Sequence, residues 1–148
     1  MKKIVKDPQL DDELQELYIV SKHWISDISF VEDEIRFLKN ILNKYLAPFM
    51  NNDQILKVKN FNKTLVHQES IIPDLKNKIL GFLKFVEPLI NESKKEIGVN
   101  LIEKFILLQM ELNTLSESVK EFKNLLFSFT EGVMITEKLN IFYKPVLT

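Results

Sequence analysis

His23–Leu38 reads HWISDISFVEDEIRFL. Trp24, Ile28, Val31, Ile35 and Leu38 recur at steps of four and three, which places them on one face of an α-helix. The seam extends both ways, through Leu10, Leu14 and Leu17 on one side and Leu42 and Tyr45 on the other, with Ser21 as its one gap. A second series runs beside it: Val20, His23, Asp27, Phe30, Glu34, Phe37 and Ile41. At roughly 100° per residue its centre lies about 110° around from the first. One helix therefore carries two faces that ask for cover.

Two further seams follow. Val58, Phe61, Leu65, Gln68, Ile72, Leu75, Ile79, Phe82, Val86 and Leu89 keep the alternation of three and four, and so do Ile97, Leu101, Phe105, Leu108, Leu112, Leu115, Val119, Phe122, Leu126, Phe129 and Val133. Their boundaries are written in local chemistry. Asp7-Pro8 opens the first helix, because an aspartate accepts from free N–H groups and a proline at the first helical position lacks an N–H that would go unused. Asn51 with Gln54, and Ser93 with Glu96, have the spacing of capping boxes. Pro48, Pro88 and Gly132 read as stops.

The expected fold is all-α: one domain over 1–148, an antiparallel up-down-up bundle of three long coiled-coil-like helices near 8–46, 52–87 and 94–131. A tail, 132–148, is left as a last turn, a strand-like segment or an arm. Pro73 sits inside the second seam, so the middle helix is kinked or broken there. The rival is a four-helix bundle with a true turn at Pro73. Composition agrees: 3 glycines and 5 prolines in 148 residues give too few turn signals for a β-sandwich.

The same numbers exclude function classes. There is no cysteine, which removes disulfides, thiolate metal sites and cysteine nucleophiles. Arg36 is the only arginine, and the net charge is -1, so sequence-specific nucleic-acid binding is not expected. No uninterrupted apolar run reaches the length of a membrane span, and no apolar core follows Lys2-Lys3 to make a leader; a cytoplasmic protein is the expectation. Phosphate loops, serine elbows and the His-x-x-Lys-Gly pattern of phosphotransfer histidines are missing around His23 and His67.

Neither catalytic residues nor a cofactor are expected. His23, Asp27 and Glu34 lie on one face and are the only candidate ligands for a metal, without the Glu-x-x-His pairs that di-metal bundles use. Met110, Phe122, Phe127 and Phe129 read as core. The pattern HWxxDIxFxxDEIxFL resembles one found in small uncharacterised all-helical proteins of Bacteroidetes; the resemblance covers about one helix, implies a helical fold and carries over no assigned activity.

The second stripe is the candidate functional surface: His23, Asp27, Phe30, Glu34, Phe37 and Ile41. Three covers for it are open. The buried arc of the helix is wide; or the tail, with Ile141, Phe142 and Tyr143, folds back over Phe30 and Phe37; or another chain docks there, as a large exposed apolar patch implies. The expected role is a non-enzymatic interaction or scaffold module, pairing with a second copy or another protein. Metal binding through His23, Asp27 and Glu34, and carriage of a small hydrophobic ligand, are the alternatives.

Overall fold

The computed structural model describes the backbone of residues 8–91 and 98–147 and the side chains of 12–90 and 98–135. The expected caps at Asp7 and at Ser93–Glu96 lie outside the described residues.

Three long helices pack together: α1 (Pro8–Asn40), α2 (Asn52–Asn91) and α3 (Val99–Leu147). Between α1 and α2 the chain makes a π-helical turn at Ile41–Leu46 and a 3-10 turn at Ala47–Phe49. The described residues contain no strand. Contacts give the directions. Trp24 stacks near Phe82, Glu32 meets Lys76, Lys39 meets Glu69 and Asn43 meets Asn62, so α2 runs down as α1 runs up. Phe82–Phe105, Lys78–Glu111, Gln68–Ser118 and Phe61–Phe122 reverse the direction again. Trp24–Phe105 and Glu34–Lys123 then show α3 parallel to α1. The bundle is up-down-up.

The second and third seams are buried or half-buried wherever their side chains are described. Trp24, Phe82 and Phe105 form one aromatic layer, with centroids 5.0–6.3 Å apart. Phe61, Phe122 and Phe129 form another, packed edge to face. Offset and edge contacts suit the charge distribution of the rings. Ser21, the gap in the first seam, is fully buried; its hydroxyl donates to the Leu17 carbonyl at 2.7 Å, which leaves no polar atom stranded.

Several expectations need correction. Tyr45, which the seam puts in the core, is exposed, and Leu46 is buried instead. The cause is the π-helical turn, where the Ala47 N–H reaches back five residues to the Leu42 carbonyl. One extra residue per turn shifts the inward position by one. The first helical path thus ends through a 3-10 turn containing Pro48 rather than stopping short of it.

α2 passes through both Pro73 and Pro88 as one helix, so no turn separates two short helices and the four-helix alternative is not formed. Pro73 removes the N–H that would bond the Glu69 carbonyl, but both residues are exposed, and a carbonyl open to solvent is not left stranded. At the start of α2, the Gln54 N–H donates to Asn51 Oδ1 at 2.9 Å and the Asn51 N–H donates to Gln54 Oε1 at 3.0 Å, the expected capping box.

Gly132 does not end α3. No glycine has a positive φ, and α3 continues as helix over the segment expected to be a separate tail. Because the backbone runs on helically to Leu147, it does not turn back over Phe30 and Phe37.

Candidate functional site: the grooves beside α3

Each pair of helices makes a groove, and the three grooves differ. The α1–α2 groove is laced by polar cross-links. Lys76 donates to Glu32 at 3.0 Å, Lys39 to Glu69 at 3.2 Å, and the Asn43 and Asn62 amides exchange two bonds. Both grooves beside α3 have fewer such links and large apolar side chains at their edges.

The α1–α3 groove contains the second stripe. Its upper part is an open cleft of about 450 Å³, walled by Asp27, Phe30 and Glu34 on α1 and by Asn113, Lys120 and Lys123 on α3. Phe30 is 67% exposed and Phe37, two turns on, is 54% exposed. The wide-arc explanation fails on these values, since a margin residue of the core would be covered. Ile41 is half-buried, His23 and Asp27 are exposed, and Glu34 is drawn inward. Lys123 Nζ donates to Glu34 Oε1 at 2.7 Å and also lies 5.8 Å from the centre of the Phe127 ring. It therefore ties the α1 stripe to a matching series on α3, in which Lys120, Phe127 and Met134 recur every seven residues. Phe127, expected in the core, is exposed on this wall.

The acidic run Glu32-Asp33-Glu34 divides three ways, to Lys76, Arg36 and Lys123. Glu34 thus neutralises a lysine across the bundle. Among the described residues no three histidine, aspartate or glutamate side chains come together to hold a metal, so His23, Asp27 and Glu34 do not form the candidate metal site.

The α2–α3 groove was not anticipated. Met110, read as buried, is 59% exposed, and with Leu107 and Ile71 it edges an open cleft of about 580 Å³. Phe85 and Leu107 line the next stretch, where Lys104 Nζ sits 4.6 Å above the Phe85 ring. Lys78 crosses this groove, bonding Glu111 and Asp74, both at 3.3 Å. Its ammonium is held above the usual lysine pKa, first by the hydrogen bond to Glu111 and then by that to Asp74. The signal for this surface was present in Phe105–Met110, FILLQM: five of its six residues are apolar, and one face of a helix cannot hold them all.

No helix among the described residues is long and apolar enough to cross a membrane. In comparisons with known proteins, no family model matches the chain and no curated protein or solved structure is detectably similar to it.

Proposed function

We propose that this chain is a non-enzymatic helical interaction module that pairs with a second copy through the outer face of α1. The observation that carries the reading is the exposure of Phe30 and Phe37, two heptad-spaced aromatics on a helix whose core seam is already satisfied elsewhere. Aromatic anchors beside a polar edge make a productive contact surface: the rings supply desolvation, and His23, Asp27 and the Glu34–Lys123 pair set orientation. Covering on the order of 100 Å² of each ring is worth about 2–3 kcal/mol at ~25 cal/mol/Å². In a symmetric pair each ring counts twice, and that sum is set against the entropy of association.

The test is sedimentation equilibrium on the wild type and on the Phe30→Asp, Phe37→Asp double variant. The wild type is expected above monomer mass, and the variant should fall to a lower mass while keeping its helical circular dichroism. A wild type that is monomeric at high concentration removes the proposal, and so does an unchanged mass in the variant.

A further inference from the structure

The first turns of α3 leave a second apolar stripe uncovered, separate from Phe30 and Phe37. Val99, Ile106 and Met110 run along its outer side, Ile102 and Leu107 flank them, and Phe85 faces them across the α2–α3 groove. These six side chains are between 46 and 70% exposed. Helical spacing makes the α3 members neighbours, and Phe85 and Leu107 line one cleft, so the stripe is continuous.

On α1 the largest outward apolar residues form the Phe30–Phe37 stripe, and α2 is largely polar outward. The start of α3 is apolar outward as well as inward, Glu103 apart, which approaches the pattern of a helix covered on every side. Within one copy it is covered on only one.

We infer that this stripe is a second self-association surface, occupied by the same stripe of another copy. Two quantities select that occupant. The first is area. At roughly 150–200 Å² for each large side chain, the uncovered apolar surface is on the order of 500 Å². A standard interface buries about 800 Å² per partner, and between identical subunits about 65% of it is apolar, again roughly 500 Å². The stripe thus has the apolar content of one side of a homodimer.

The second quantity is charge. Glu103 lies within the stripe, one turn from Val99, Ile106 and Leu107, and the flanks carry Asp74 and Glu111 against Lys78, Lys84 and Lys104, so the surface holds charges of both signs. A surface with both signs offers its own copy opposite charges to pair with, whereas a strongly acidic or basic partner would find no counterpart there. A two-fold axis crossing α3 near Ile106 would bring the two stripes together as an isologous contact.

This surface does not depend on the α1 face, and the test separates them. Native mass spectrometry and sedimentation are run on the full chain as wild type, as Phe30→Asp with Phe37→Asp, as Ile106→Asp with Met110→Asp, and with all four changes. Wild type is expected as a tetramer, each double variant as a dimer, and the quadruple variant as a monomer. Ile106 and Met110 are exposed, so circular dichroism should be unchanged; Ile106→Gln with Met110→Gln, milder at the same sites, should show the same dissociation. If only the α1 variant changes mass, the inference falls. If only the α3 variant does, the inference stands and the α1 reading falls. A wild-type monomer that binds 8-anilinonaphthalene sulfonate, with the binding lost in the α3 variant, would give the stripe to a foreign apolar partner and overturn the inference.

Discussion

Replacing Gln68 by leucine should stabilise the bundle. Gln68 occupies the core seam between Leu65 and Ile72 and is only 2% exposed. Its Nε2 donates to Ser118 Oγ at 2.8 Å, and its Oε1 has no partner. Exchanging the two ends of the amide would still leave one of them unpaired. Removing the unpaired polar atom recovers about 1–3 kcal/mol, while losing the Ser118 bond costs about 1 kcal/mol. Leucine adds apolar burial, worth about 1 kcal/mol. The balance is about 1–3 kcal/mol in favour of the variant. Urea titration at fixed protein concentration reads this directly: the midpoint should rise with the slope unchanged, and Tm should rise by about 2–4 °C for each kcal/mol gained. The cycle with Ser118→Ala completes the test. In the wild-type background Ser118→Ala strands the amide at both ends and should cost about 1–2 kcal/mol; in the Gln68→Leu background it should cost far less. A fall in midpoint for Gln68→Leu, or an equal cost of Ser118→Ala in both backgrounds, would refute the reasoning.

Two more expectations concern α2. Gly81 lies in the middle of a 40-residue helix, has no positive φ, and a Cβ there would meet nothing within 4 Å; Gly81→Ala should stabilise by about 0.8–1 kcal/mol in urea titrations, and destabilisation would mean that another surface approaches closely there. Lys78 has a pKa raised above its ordinary 10.5, so its contribution is complete below that pH and is lost as pH rises through the folded value. The stability difference between wild type and Lys78→Gln should shrink in that alkaline window and also with added salt, because the group is exposed; a difference that stays constant across the window would rule out this linkage.

The core of the fold was legible because the side chains that build it repeat. Every described seam residue of α2 and α3 lies inward, and only Tyr45 on α1 departs, where a π-helical turn changes the period that the reading assumed. Helix ends were less legible. Pro73, Pro88 and Gly132 are local penalties of a few kcal/mol at most, and the packing of their neighbours outweighs them. The second stripe on α1 was visible because Phe30 and Phe37 are large and stand apart from the seam. The stripe on α3 was hidden among other apolar residues, since a seam drawn through Leu101, Phe105 and Leu108 leaves Ile102, Ile106 and Leu107 unassigned without marking them as exposed.

The polar cross-links between α1 and α2 also bear on the order of assembly. These helices are joined by a short connection with its own capping box, and their contacts bridge residues near in sequence first, Asn43 to Asn62 and then Lys39 to Glu69. Loop closure across so few residues is entropically cheap and fast. The hairpin's contacts are short in range, and on a growing chain it emerges ahead of α3. α3 then closes onto a preformed surface. On that sequence of events, substitutions between α1 and α2 slow folding, and substitutions on α3 mainly hasten unfolding.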